Sequence, residues 1–206
     1  MSIQSKLLLT CLSAVAMVAI STSSHAATTS INFDGTGAPN AFVDTTPLTN
    51  LYAGQGVTFS GSGGNGGSIL NQGGNFGFNA RSGTDFLAFN DAAGTGFVQV
   101  LTFSSAISQV SIWANSGSQN QFSIEGFDAN NGSLGSVNTG TFSEQWRELV
   151  FSAAGISSVR LTMAGDVGAY DDLSFTDDRQ AVPEPGSLAL VALGLVALAL
   201  RKRQSK

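Results

Sequence analysis

Apolar and polar residues alternate in short runs through the middle of this 206-residue chain. Runs such as Val57-Thr58-Phe59 have a period of two, and glycine, serine and asparagine residues separate one run from the next. Side chains along a β-strand point alternately to its two faces, so this period indicates strands with one buried face. No stretch between the two ends has a helical period. The sequence therefore predicts an all-β domain, an antiparallel β-sandwich or jelly roll.

The predicted strands are short and are separated by turn-forming residues. Between two of them, Asn131-Gly132 is typical of a tight hairpin turn. Residues 61–83 are rich in glycine and asparagine, and we interpret them as long loops around weak strands at 69–70 and 76–78. The stronger runs are residues 31–33, 57–59, 97–103, 110–112, 122–124, 146–151, 159–161 and 173–175.

The beginning of the chain is typical of an export signal. A lysine precedes the apolar residues 7–20, and residues 24–26 supply the small residues that signal peptidase accepts. We therefore predict a signal peptide over residues 1–26, cut between Ala26 and Ala27. The alternative, a retained membrane helix, is disfavoured because the apolar run is short and polar residues follow it at once. This cut would remove the only cysteine and the only histidine.

The end of the chain, residues 181–206, combines a proline motif, an apolar segment and a basic tail. Pro183, Glu184 and Pro185 interrupt regular structure, because proline lacks an N–H and restricts the residue before it. Residues 187–200 predict a transmembrane helix of about 20 Å, shorter than the roughly 30 Å hydrocarbon core. Basic residues after such a helix stay cytoplasmic, which predicts a temporary anchor with the domain outside. The basic stop consists of Arg201, Lys202 and Arg203.

This tail resembles the PEP-CTERM sorting signal of exported bacterial proteins. That signal has a Pro-Glu-Pro motif, a short transmembrane helix and an arginine-rich end, and Pro183, Glu184 and Pro185 match the motif. The resemblance implies recognition by an exosortase at the inner membrane. It also implies delivery to the cell surface or an extracellular polysaccharide matrix. The alternative is an ordinary tail anchor that happens to begin with these residues.

Residues 27–180 form the predicted exported domain. They contain four basic and 13 acidic residues, a formal net charge of −9. Such a charge argues against binding to nucleic acid. With no histidine or cysteine left, nucleophile arrangements that need them are excluded. A glycoside hydrolase needs a pair of carboxyl groups, which Glu125, Glu144 and Glu148 could supply. Surface positions explain all three glutamates, and we predict no catalytic residue.

A second resemblance concerns the exported domain. Residues 101–115, 121–136, 145–163 and 169–175 follow an order that is similar to jelly-roll domains of the galactose-binding-like type. The resemblance implies a structural calcium ion beside the closing strand, and the closing residues contain two adjacent aspartates. The ligands that it implies are Asp171 and Asp172, with Asp34 as a partner.

The residues themselves leave the role of this aspartate pair open. Adjacent carboxylates repel each other, so a buried pair needs a cation or hydrogen-bond donors. The alternative is that one aspartate ties down a loop while the other is solvated. Residues 128–132 also resemble the start of a calcium loop, but a hairpin turn explains them fully. Structural calcium is the one cofactor that the sequence raises.

Trp113 is the candidate ligand-binding residue. It alternates with Val110, Ile112 and Ala114, which predicts that it lies on the opposite face of their strand. An exposed tryptophan there could stack on a sugar, because its ring offers a flat apolar surface and one donor. The alternative is a core position, as is common for tryptophan in β-sandwiches.

Together these features predict an exported cell-surface or matrix protein with a structural or adhesive, non-catalytic role. The alternative is a carbohydrate-binding module of the polysaccharide matrix, and a glycoside hydrolase is the least favoured reading. The expected partners are signal peptidase and exosortase during processing, the inner membrane during transit, and extracellular polysaccharide afterwards.

Overall fold

The computed structural model describes residues 26–38, 48–61, 66–88, 98–165 and 168–178. All of these lie in one compact unit, Ala26–Arg179. The predicted signal helix, the sorting motif, the transmembrane helix and the basic tail lie outside the described residues. Within the residues that are described, no helix is long and apolar enough to cross a membrane.

The described residues form nine β-strands, and every pairing between them is antiparallel. This confirms the prediction of an all-β domain. Two short 3-10 helices, Ala53–Gln55 and Gln72–Gly74, lie in the connections. The strands are β1 (Thr28–Ile31), β2 (Val57–Gly61), β3 (Ser68–Asn71), β4 (Asp85–Ala88), β5 (Val98–Asn115), β6 (Phe122–Phe127), β7 (Ser133–Asn138), β8 (Arg147–Met163) and β9 (Ala169–Asp177).

The nine strands are joined by hydrogen bonds into one continuous sheet, which the long paired strands β5 and β8 organise into two layers. The first part of β5 pairs with β2, and the last part of β8 pairs with β6, which continues to β7. The second part of β5 pairs with β9, whose other edge carries β1 and β4, and β3 follows β4. Register shifts between Thr102 and Gln109 separate the two parts of β5. We call the two layers the first and the second sheet.

A single large apolar cluster joins the inner faces of the two sheets. Leu101 and Ile124 come from the first sheet, and Ile112 and Leu173 come from the second; all four are fully buried. Burying a side chain of this size contributes roughly 1.5–3 kcal/mol. The alternation of apolar residues along the strands therefore supplies both halves of the sandwich core.

Two details of the strand prediction need correction. The runs at 97–103 and 110–112 are parts of one strand, β5, since a bulge interrupts the alternation without ending the strand. The runs at 146–151 and 159–161 are likewise parts of one strand, β8. Residues 76–78 form no strand, because Gly77 has φ +87°, which breaks an extended backbone. Phe76 and Phe78 instead pack against Phe86, with ring centroids 5.9 and 5.2 Å apart.

Candidate functional site

A groove of about 590 Å³ lies on the outer face of the second sheet. Strands β1, β9, β5 and β8 line it, and they lie side by side in this order because of the antiparallel register. We call it the outer groove. Its lining residues are Ser30, Ile31, Asn32, Ser111, Trp113, Glu148, Asp172, Leu173 and Ser174.

A row of serine side chains crosses the outer groove. Ser174 on β9 is in register with Ser30 on β1 and with Ser111 on β5. Each hydroxyl can donate one hydrogen bond and accept two. The three strands therefore present a polar surface that can donate hydrogen bonds to the hydroxyl groups of a ligand or accept hydrogen bonds from them.

Trp113 lies on this outer face, as the alternation along β5 predicts. Val110, Ile112 and Ala114 are fully buried, whereas Trp113 is half-buried. The guanidinium of Arg81 stands over its ring, 3.8 Å from the ring centroid. Such a contact is a cation–π interaction. Arg81 therefore covers part of the Trp113 ring, which was predicted to stack on a sugar.

The loop of residues 81–84, which precedes β4, brings Arg81 to the groove. Arg81 forms an ion pair with Asp172, and the hydroxyl of Ser82 donates to the same carboxylate at 2.7 Å. The backbone N–H groups of Arg81 and Ser82 donate to Asp171, at 2.8 and 3.2 Å. We call residues 81–84 the Arg81 loop. Asp171 thus holds the backbone of this loop, and Asp172 holds its side chains.

Both aspartates reach the Arg81 loop because β9 is irregular at this point. Asp172 has φ +46°, and the register between β5 and β9 shifts between Ser111 and Trp113. Asp172 lines the outer groove, whereas Asp171 is fully buried. In a regular strand, neighbouring side chains point to opposite faces, and Asp171 would then point into the core. The bulge turns Asp171 towards the Arg81 loop instead.

Burial dominates the electrostatics of Asp171. Loss of water raises the pKa of its carboxyl to about 7. The N–H of Ser82 opposes this rise, the charge of Asp172 adds to it, and the N–H groups of Asp172 and Arg81 oppose it again. The group therefore changes its charge close to neutral pH.

Asp34 holds the far end of the Arg81 loop. Its Oδ1 accepts from the N–H groups of Thr84 and Asp85, at 2.9 and 3.0 Å, and its Oδ2 accepts from Asn32 at 3.0 Å. Gly83 has φ +55°, and a Cβ atom there would lie 1.8 Å from Asp34 Oδ2. Glycine is therefore required for the loop to lie on this carboxylate.

Tyr52 lies close enough to Asp34 and Asp85 for their charges to act on it. Its hydroxyl is buried and has no hydrogen-bond partner among the residues described. Burial, followed by the charges of Asp85 and Asp34, raises the pKa of Tyr52 to about 12. Tyr52 therefore stays neutral at physiological pH.

The contacts of Asp34, Asp171 and Asp172 do not fit a shared calcium ion. Every carboxylate oxygen of the three already accepts a hydrogen bond. Calcium takes 6–8 oxygen ligands, so it would have to displace these donors. In the part of the chain that the structure describes, no three His, Cys, Asp or Glu side chains gather to hold a metal ion. The predicted calcium stays a prediction, and the contacts favour the alternative in which aspartates tie down a loop.

Two further aromatic residues and the aspartate of the 128–132 segment make structural contacts. Trp146 donates its indole N–H to the carbonyl of Asn79 at 3.1 Å, and Tyr170 is fully buried. Asp128 accepts from the N–H groups of Asn130 and Gly132, at 2.8 and 2.7 Å. These bonds close the hairpin turn between β6 and β7 that the sequence predicts.

The three glutamates do not form one site. Glu125 lies on β6 in the first sheet, where it accepts from Ser133 at 2.8 Å and lies 3.7 Å from Arg160. Glu144 lies in the exposed connection before β8. Glu148 alone of the three lines the outer groove. Glu125 and Glu148 therefore lie on the outer faces of opposite sheets.

No role for Arg81 or Ser82 was predicted from the sequence. They lie in the glycine-rich stretch that was interpreted as loops, and nothing local to them indicates contact with Trp113 or with β9. The one available signal was the aspartate pair, whose need for donors or a cation is met by these two residues.

Comparison with known proteins identifies the tail first. Residues 181–204 match the PEP-CTERM protein-sorting motif. The motif implies an exported protein that becomes associated with the cell surface. The match confirms the sorting signal that was predicted from Pro183, Glu184 and Pro185. No curated protein matches the chain significantly.

Several solved structures are similar to the described domain. A family 61 carbohydrate-binding module in complex with β-1,4-galactotriose is 13% identical, with a TM-score of 0.35, covering 66% of this chain and 96% of its own. The CBM22-1 xylan-binding domain of Paenibacillus barcinonensis Xyn10C is 13% identical, with a TM-score of 0.38 and coverages of 75% and 97%. A DUF4465 family protein from Bacteroides caccae is 12% identical, with a TM-score of 0.45 and coverages of 72% and 92%. The function has to be argued from the outer groove itself.

Proposed function

We propose that this protein is a non-catalytic, adhesive component of the cell surface or extracellular matrix, whose β-sandwich binds a polysaccharide in the outer groove. The observation that carries the proposal is the placement of a half-buried tryptophan, Trp113, in a groove with a polar floor. Sugar rings present an apolar face and a rim of hydroxyl groups. An aromatic ring beside serine hydroxyls complements both.

The size and shape of the outer groove support a chain ligand. Its volume of about 590 Å³ falls in the range of small-molecule sites. It lies on an open sheet face, so a polymer can enter without having a free end. Trp113 and Glu148 face each other across β5 and β8, and Asn32 lies on the β1 side. A bound saccharide therefore crosses the strands between these two sides.

A purely binding role is supported by the state of the carboxylates in the groove. Glycoside hydrolysis needs two carboxyl groups on either side of the scissile bond, about 5–10 Å apart. Of the two acids that line the groove, Asp172 is held by Arg81 and Ser82. Glu148 then lacks a second free carboxylate as its partner. We therefore assign binding, and no chemistry, to this face.

Replacing Trp113 tests the proposal. We expect Trp113→Ala to weaken polysaccharide binding by about tenfold or more, since an aromatic stack contributes roughly 1–3 kcal/mol. Binding is measured on a glycan array and by affinity electrophoresis with mature protein isolated from cells. Phe127→Ala is the matched control, because Phe127 lies under Arg160 on the first sheet, outside the outer groove. Undiminished binding by the Trp113 variant would contradict the proposed site, and no binding by the native protein would leave a purely structural role.

A further inference from the structure

Glu148 is the one acid of the outer groove whose charge is not neutralised. It is exposed on β8, directly opposite Trp113 on β5. No hydrogen bond or ion pair joins its carboxylate to another residue in the described parts of the chain. Cross-strand neighbours have Cβ atoms roughly 4.5–5.5 Å apart, so the carboxylate and the indole ring can contact the same ligand group.

The other charges near the groove cancel or lie elsewhere. Asp172 and Arg81 form an ion pair with each other. Arg147 stands over Phe142 at 4.7 Å, and Arg160 lies on the first sheet beside Glu125. Among the charges described, the outer groove therefore has one negative charge in excess, within a domain of formal net charge −9.

We propose that the outer groove selects a polysaccharide containing cationic amino sugars, and that Glu148 is the residue that sets this specificity. The inference rests on the proposed polysaccharide binding. An ammonium group on the sugar donates to the Glu148 carboxylate, and a hydrogen bond between two charged groups is stronger than one between neutral groups. A uronic acid would place its carboxylate against Glu148, which repels it. A neutral sugar would leave the charge of Glu148 unused.

The charge of the whole domain acts in the same direction. A surface with a net charge of −9 raises the local concentration of a polycation and lowers that of a polyanion. This effect is long-ranged and weakens with salt, whereas the contact with Glu148 is local. The two contributions can therefore be separated by a single substitution.

The experiment compares three oligosaccharides of equal length on mature protein isolated from cells. They are oligomers of glucosamine, of N-acetylglucosamine and of galacturonic acid, titrated calorimetrically at low salt and mildly acidic pH. We expect the glucosamine oligomer to bind at least about fivefold more tightly than its acetylated form, equivalent to about 1 kcal/mol, and the galacturonate oligomer to bind most weakly. Added salt should reduce the preference.

Substitution of Glu148 assigns the preference to one residue. In Glu148→Gln, we expect the two glucosamine forms to bind within about twofold of each other, with little change for the acetylated form. Glu125→Gln removes the same charge from the first sheet and should keep the preference. Because Glu148 is exposed and unpaired, Glu148→Gln is not expected to unfold the protein, and the salt dependence in the native protein gives a second, independent measurement.

The outcomes separate this inference from the proposed function. Equal binding of glucosamine and N-acetylglucosamine oligomers, or tighter binding of galacturonate, overturns the inference and leaves polysaccharide binding intact. Binding of none of these and no hit on the glycan array overturns both. A preference that survives in Glu148→Gln shows that another residue selects the sugar and also overturns the inference.

Discussion

The outer faces of the two sheets carry the same three kinds of side chain in different settings. On the first sheet, Arg160 stands over Phe127 at 4.9 Å and lies 3.7 Å from Glu125. All three come from the neighbouring strands β6 and β8. The charged groups are largely exposed there, and no buried carboxylate among the described residues contacts them.

On the second sheet, the corresponding arginine comes from a loop. Arg81 stands over Trp113 at 3.8 Å and pairs with Asp172. The buried Asp171 holds the backbone of that loop through two N–H groups. A surface trio of this kind contributes little by itself, whereas a buried carboxylate that fixes a loop determines the shape beside it. The outer groove therefore lies on the sheet where a buried carboxylate, Asp171, fixes the loop that carries the arginine.

The two faces should differ most in the loss of stability that follows when one acid is removed from each. We expect Asp171→Ala to lower the free energy of unfolding by about 3 kcal/mol, because it leaves buried N–H groups of the Arg81 loop unpaired. Glu125→Ala should cost less than about 1 kcal/mol, because its ion pair is exposed. Chemical denaturation of both variants measures the two losses. Equal losses would show that burial of Asp171 does not distinguish the faces.

The pH dependence of stability is the next largest effect. The pKa of Asp171 is about 7 in the folded chain against 3.8 in the unfolded chain, so the folded state holds a proton that the unfolded state has released. Stability therefore decreases as the pH rises from about 4 through 7, by a few kcal/mol at most. Melting temperatures across this range measure the slope. Asp171→Asn has no carboxyl to titrate and should lack this component, so an unchanged slope in that variant would contradict the assignment.

Chelation should have the smallest effect. If Asp34, Asp171 and Asp172 held a calcium ion, a chelator would lower the melting temperature by several degrees. The hydrogen bonds to these carboxylates predict a change of less than about 1 °C, since donors already stabilise them. Differential scanning calorimetry with and without chelator, together with elemental analysis, distinguishes the two. A large shift would mean that the loop is held by a metal ion.

The alternation of residues was sufficient to predict the sheet faces but not the site. Val110, Ile112 and Ala114 are buried and Trp113 faces outward because a strand has a fixed period of two. The position of Asp171 could not be predicted in this way. It depends on the left-handed backbone at Asp172 and on a register shift against β5, and neither has a local sequence signature.

Long-range contacts explain the remaining differences. Arg81 reaches Asp172 across 91 positions of the chain. A glycine-rich segment has many conformations in the unfolded chain, and the partner that selects one of them is distant in sequence. The aspartate pair signalled that donors or a cation must be near, but the choice between them required the position of the Arg81 loop.

The pairing of the first and last strands has one further consequence. The carbonyl of Ala27 accepts from the N–H of Asp177 at 2.9 Å, so the chain enters and leaves the domain at adjacent points. Ser30 and Ser174, which line the outer groove, lie only three residues from these points, about 10 Å at the rise of a strand. The two ends of the described domain therefore lie at one corner, and an attachment at either end would act at the same place beside the outer groove.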